Sequence, residues 1–108
     1  MADFAQPSTQ KLIASLWHRN QPQVLERLAL LDRAAAEAAT SALSPGLGQE
    51  AACIAHKLAG SLGMFGFHEG TRLARELELH LESPTPDPAL LAALTTQLRS
   101  ALYPAPQS

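Results

Sequence analysis

The sequence predicts an all-α fold: an up-and-down antiparallel four-helix bundle with an additional short N-terminal helix. Composition favours it, because the 108 residues include 20 Ala and 19 Leu but only one Val and two Ile. Ala and Leu favour helices, whereas β-branched residues favour strands. Pro and Gly divide the chain into segments with apolar residues at helical spacing. Short connections make neighbouring helices antiparallel, and the length fits a single domain over residues 1–108.

Five helices are expected in order along the chain. The first is centred on residues 12–17, the second covers about 23–43, the third begins near 45, the fourth covers about 67–82, and the fifth about 88–103. The second helix has an apolar stripe of Val24, Leu28, Leu31, Ala35, Ala39 and Ala42. Ser44-Pro45 and Asp87-Pro88 each place a capping residue before a proline, which is typical of a helix start. Residues 104–108 are expected to form a tail or the start of a linker.

Charge and cysteine content exclude several classes of protein. Eight Lys plus Arg against ten Asp plus Glu gives a net charge of −2, and aromatic residues make up 5% of the chain. Nucleic-acid binders are usually basic and stack bases on aromatic side chains, so nucleic acid is not an expected partner. The single Cys53 excludes an internal disulfide. The N-terminus lacks the features of a signal peptide, and no apolar run suits a membrane span, so we expect a cytoplasmic protein without membrane contact.

The third helix carries a histidine on the side opposite its apolar stripe. At about 100° per residue, the apolar residues fall within roughly 60° of Leu58. These are Ala51, Ile54, Ala55, Leu58, Leu62 and Phe65. His56 lies about 160° from Leu58, with Gly60 and Gly63 on either side. Each helical glycine costs about 1 kcal/mol relative to Ala. Either another molecule approaches the imidazole closely, or the glycines permit tight helix packing and His56 is an incidental surface residue.

The sequence HKLAGSLGMFG at residues 56–66 resembles the signature of histidine phosphotransfer (HPt) domains. That signature has a histidine, any residue, Leu, Lys and Gly, followed by a later glycine. The resemblance implies that His56 accepts a phosphoryl group and passes it between receiver-domain aspartates in a two-component phosphorelay. It implies a monomeric phosphocarrier without cofactor or catalytic machinery of its own. The partner that the resemblance implies is a receiver domain of a response regulator or hybrid histidine kinase, which is expected to supply Mg²⁺ and a lysine.

One residue departs from the HPt signature. The lysine three residues after the histidine is Ala59 here, and Lys57 follows the histidine directly. Adjacent helical residues diverge by about 100°, so Lys57 does not simply replace that lysine. Either its long side chain reaches round, or Arg72 or Arg75 supplies the charge, or the phosphorylated state is less stabilised. The expected docking and phosphoryl-binding surface comprises Cys53, Lys57, Gly60 and Gly63, although a solvated surface charge is the simpler interpretation of Lys57.

The histidines, the cysteine and the glutamates also have to be examined for a metal site or a nucleophilic pair. No two of the four histidines, His18, His56, His68 and His80, have the spacing of helical metal ligands, so no metal site is expected. Cys53 and His56 have that spacing, but neither further ligands nor an oxyanion hole is evident. Glutamates and arginines alternate on the fourth helix at spacings typical of surface ion pairs. These are Arg72, Arg75, Glu76, Glu78 and Glu82. The alternative function is a helical docking or dimerisation module in which His56 is never phosphorylated.

Overall fold

The computed structural model describes residues 7–104, and all regular secondary structure within them is α-helical. The four helices are α1 (Pro7–Thr40), α2 (Pro45–Met64), α3 (His68–Leu81) and α4 (Pro88–Leu102). Each helix packs against two others, α1 and α3 each lying between α2 and α4. Connections of a few residues make successive helices antiparallel, so the predicted all-α bundle is confirmed. The predicted tail over residues 104–108 lies outside the described residues except for Pro104.

The additional N-terminal helix is not confirmed. The residues expected to form it belong to α1, which continues through Pro22. An internal proline removes one backbone hydrogen bond and strains a helix, but it does not have to end it. The turns before Pro22 are held by Trp17, whose ring centroid lies 5.3 Å from that of Phe65 and 4.7 Å from that of Phe67. Tyr103, just after α4, stacks on the same indole at 6.2 Å. This aromatic cluster attaches α1, at Trp17, to one end of the bundle.

Leucine and alanine side chains from all four helices fill the core. The largest fully buried side chains are Leu28, Leu31, Leu58, Leu62, Leu73, Leu77, Leu91, Leu98 and Val24. The stripe predicted for the second helix is correct as far as Ala35 and wrong beyond it, because Ala39 and Ala42 are exposed. Ala34 and Ala38 are buried instead. The helix ends at Thr40, so Ala42 lies in the connection to α2 and has no neighbouring helix to cover it.

Both predicted cap positions precede a helix, but they are stabilised differently. Asp87 accepts a hydrogen bond from the backbone N–H of Ala89 at 3.0 Å, as a capping side chain does. The Ser44 side chain makes no such bond. Its backbone N–H donates instead to Glu37 Oε1 at 2.6 Å, which connects the end of α1 to the start of α2. Within residues 7–104, no helix has both the length and the apolar character needed to cross a membrane.

Candidate functional site

α2 presents His56 on its solvent-facing side. Ala51, Ala55, Leu58 and Leu62 are all 0% exposed and form the buried face of the helix. The side chain of His56 is 74% exposed. This is the orientation that the helical periodicity predicts, although two members of the expected inward stripe, Ile54 and Phe65, are only half-buried. The imidazole is therefore held on a rigid helix and is accessible to another molecule.

A carboxylate from the neighbouring helix orients this imidazole. Nδ1 of His56 lies 2.9 Å from Oε2 of Glu78 on α3. The Glu78 side chain is 24% exposed, so it is held at the α2–α3 interface. A carboxylate only accepts hydrogen bonds, so the neutral ring that satisfies this contact carries its proton on Nδ1. Nε2 is then unprotonated, and its lone pair points away from Glu78. The arrangement prepares Nε2 to act as a nucleophile.

The role of Glu78 does not follow from the sequence. Its spacing from the arginines of the same helix predicts only a surface ion pair. Part of that prediction is correct, because Arg72 pairs with Glu76 at 2.8 Å and with Glu69 at 2.6 Å. The hydrogen bond from Arg72 lowers the pKa of Glu69, and Glu69 in turn raises the pKa of Arg72. Glu78 instead reaches across to α2. No local sequence signal distinguishes it from Glu76, since the difference depends on how α2 and α3 align.

The two glycines beside His56 leave its surroundings open. A Cβ atom added at Gly60 would have no atom within 4 Å, and one at Gly63 would meet Thr71 Oγ1 at an ordinary 3.6 Å. Gly70 is different, since a Cβ there would lie 3.2 Å from both Leu62 and Leu102. Helix packing therefore explains the glycine at position 70 and does not explain the one at position 60. The surface next to the imidazole is free for a partner to approach.

Cys53 and Lys57 are one helical turn apart on α2 and line different grooves. Cys53 is exposed and lines, with His56 and Glu78, a groove of about 760 Å³. Lys57 lines two grooves between α2 and α1, and Arg27 is a neighbour in both. Cys53 thus shares a groove with the His56–Glu78 pair, whereas Lys57 lines the grooves beside α1.

A smaller groove of about 440 Å³ lies between α2 and α3. His56, Ala59 and Gly60 form its α2 side. The α3 side consists of Arg75, Glu78, Leu79 and Glu82. Of the two arginines that sequence analysis considered as sources of positive charge, Arg75 shares this groove with the histidine. Across residues 7–104, no group of three or more His, Cys, Asp or Glu side chains is arranged to hold a metal ion.

Comparison with known proteins identifies the family to which this chain belongs. The family model of the Hpt domain matches residues 21–102. Protein RcaC of Microchaete diplosiphon is 38% identical over 77 residues, which is 68% of this chain and 12% of that protein. This chain thus spans a small part of the curated relative's length. No solved structure matches significantly. Since the Hpt model covers most of the chain, including the helix with the exposed histidine, this chain belongs to the Hpt domain family and has a histidine phosphotransfer role in phosphorelay signalling.

Proposed function

We propose that His56 is the phosphoryl acceptor of this domain and exchanges its phosphoryl group with receiver-domain aspartates. The observation that supports this most directly is the contact between Nδ1 of His56 and Glu78, which in the neutral ring leaves Nε2 unprotonated on a side chain that is 74% exposed. The other three histidines lie outside the segment that resembles the HPt signature. The family fixes the kind of chemistry, and the position of His56 supports this residue as the place where it occurs.

The proposed transfer is a displacement at phosphorus. The Nε2 lone pair attacks the phosphorus of an aspartyl phosphate, and a new N–P bond forms. The P–O bond to the aspartyl group breaks, and its electron pair leaves on the aspartate carboxylate. The Nδ1 proton stays on the ring, which gains positive charge, and the Glu78 carboxylate stabilises that charge from 2.9 Å. In the reverse direction, an aspartate oxygen attacks the phosphorus and Nε2 leaves.

The two partners contribute different groups to the reaction, because phosphoryl transfer requires few catalytic residues. Phosphoryl transfer depends on in-line positioning and charge neutralisation more than on covalent catalysis. We propose that the chain contributes the nucleophile and a docking surface, with no catalytic machinery of its own, and that the receiver contributes Mg²⁺. We further propose that residues 1–108 form a single domain that acts as a monomer, and that it meets its receiver in the cytoplasm.

The proposed docking surface surrounds His56 on α2 and α3. Its centre carries little side-chain bulk, because Gly60 and Gly63 have no side chains and Cys53 is small. Its edges carry two large apolar side chains with little cover, Leu79 at 69% exposure and Met64 at 66%. Large exposed apolar side chains close together are common where one protein binds another. This composition supports contact with a protein partner as large as a receiver domain.

The experiment that tests this function is phosphoryl transfer followed by intact mass. The purified chain is mixed with a receiver domain that carries a phosphoaspartate, and both masses are recorded over time. We expect the chain to gain one phosphoryl group while the receiver loses one. A chain that binds the phosphorylated receiver without any gain in mass would contradict the proposal and favour a docking module that is never phosphorylated.

A further inference from the structure

Phosphorylation of His56 creates a local excess of negative charge. A phosphoryl group adds up to about two negative charges. The groove between α2 and α3 already contains two carboxylates, Glu78 and Glu82, and the first of them touches the imidazole. Like charges in one site raise the free energy of the state that contains them. The phosphorylated form is therefore favoured by a cation that reaches the same groove.

The alignment of α2 and α3 places Arg75 where such a cation is needed. The two helices are antiparallel, and His56 on α2 is level with Glu78 on α3. Further along, the Thr71 hydroxyl donates a hydrogen bond to the Ala59 carbonyl at 3.4 Å. Arg75 lies between these two contacts and lines the groove with His56 and Gly60. A Cβ at Gly60 would meet nothing within 4 Å, so no side chain fills the part of this groove beside Gly60.

The other two cations near this site, Arg72 and Lys57, do not line the groove that holds His56 and Arg75. Arg72 is held by two carboxylates of its own helix, at 2.6 and 2.8 Å. Lys57, about 100° round α2 from His56, lines the grooves against α1 and not the groove that holds His56 and Arg75. Arg75 is absent from the salt bridges formed among residues 7–104. Its guanidinium is therefore available to a new anion without breaking an existing ion pair.

We propose that Arg75 binds the phosphoryl group carried by Nε2 of His56, and that it supplies the positive charge which a lysine at position 59 would otherwise provide. The guanidinium donates N–H hydrogen bonds to phosphoryl oxygens, and no covalent bond changes in this contact. Arginine suits the role because its planar fork of donors matches phosphate oxygens. This inference rests on the proposed function, since it requires that His56 carries the phosphoryl group.

The test measures how strongly the bound phosphoryl group holds a proton. The chain is phosphorylated with phosphoramidate, which needs no receiver, and ³¹P NMR follows the phosphohistidine signal from about pH 5.5 to 9. A nearby cation favours the dianion. We expect Arg75→Ala to raise the proton affinity of the phosphoryl group about two- to fivefold, the size of an exposed ion pair. Arg75→Lys should fall between Ala and wild type, and added salt should shrink all the differences.

The matched control is Arg72→Ala, which removes an exposed arginine one turn away on the same helix. We expect it to leave the ³¹P titration unchanged, and circular dichroism should show that all variants are folded. Equal titrations for Arg75→Ala and wild type would overturn the role of Arg75 while leaving the proposed function intact. An equal shift for Arg72→Ala and Arg75→Ala would also overturn it, since the effect would then be general surface charge. A wild-type chain that takes up no phosphoryl group would contradict the proposed function itself, and this inference with it.

Discussion

The Oε2 atom of Glu78 on α3 lies 2.9 Å from Nδ1 of His56 on α2, so two adjacent helices share one hydrogen bond at the surface of the bundle. Rigid helices hold both ends of the contact, and their alignment is fixed by buried leucines such as Leu58 and Leu77. The bundle core thus sets the orientation of a ring that is itself mostly exposed. This relationship determines which ring nitrogen of His56 is free to attack phosphorus, and the proposed transfer depends on it.

The first prediction concerns Glu78. Glu78→Gln keeps an oxygen that accepts from Nδ1–H but removes the charge that stabilises the ring during attack, whereas Glu78→Ala removes both. We expect transfer from a phosphorylated receiver to slow in the order wild type, Gln, Ala. Loss of a hydrogen bond to a charged group, worth about 1.5 kcal/mol, corresponds to roughly tenfold for the alanine variant. Single-turnover kinetics measure the rates, and equal rates for all three proteins would show that Glu78 does not assist transfer.

The second prediction separates access from packing at Gly60. Gly60→Ala should raise stability by up to about 1 kcal/mol, because the position is helical and a Cβ there meets no neighbour. Gly60→Gln keeps most of that gain and places a side chain next to His56, one helical turn away. We expect the glutamine variant to slow receiver-mediated transfer far more than the alanine variant, with a thermal midpoint that holds or rises. A destabilised glutamine variant with normal transfer per folded molecule would contradict the idea of an open approach.

The third prediction tests the core that positions α2. Leu58 is 0% exposed, and its truncation leaves a cavity among packed leucines. We expect Leu58→Ala to lower the free energy of unfolding by about 2–5 kcal/mol, measured by urea denaturation. The matched control is Leu12→Ala near the start of α1, where the side chain is 60% exposed and the change should stay within about 0.5 kcal/mol. Similar losses for both variants would mean that the first turns of α1 are packed more tightly than described.

The fourth prediction concerns acid stability at the α1–α2 connection. Hydrogen bonds from Ser44 hold the pKa of Glu37 below its ordinary value of 4.5. Because the folded state favours the ionised carboxylate, this contribution to stability is present above that value and is lost as the pH falls through the lowered pKa. We expect the thermal unfolding midpoint of wild type to exceed that of Glu37→Gln at pH 7. The difference between the two midpoints should shrink between about pH 5 and 3. Glu50→Gln, at an exposed position on α2, is the control; a constant difference for Glu37→Gln would contradict the assigned role.

The sequence predicts a large part of the site because the relevant information is local to one helix. The positions of His56 and Gly60 relative to Leu58 depend only on helical periodicity, so exposure and orientation follow from residue spacing. Glu78 and Arg75 were not separable from their neighbours in the same way. Their roles depend on the alignment of α3 against α2, which side-chain packing over the whole interface determines.

The errors in the fold have a similar origin. The sequence predicts a break between the first two helices, near Pro22, because proline is unfavourable inside helices. The distant contacts of Trp17 with Phe65 and Phe67 outweigh that local preference and keep α1 continuous. Ala39 was expected to be buried because the periodicity continues as far as that residue, but burial depends on where the neighbouring helices end. The local sequence pattern thus predicts which face of a helix is apolar, but it does not predict which neighbouring helices cover that face.

The most direct test of the central claim is to locate the phosphate after transfer from a phosphorylated receiver. We predict one acid-labile, base-stable phosphate on His56, found by peptide mass spectrometry at neutral pH. His56→Gln should abolish it while leaving the thermal midpoint unchanged, because the side chain is exposed and outside the core. Glutamine at His18, His68 or His80 should leave it in place. Undiminished phosphorylation of a folded His56→Gln chain would contradict the claim, because the acceptor would then be another residue.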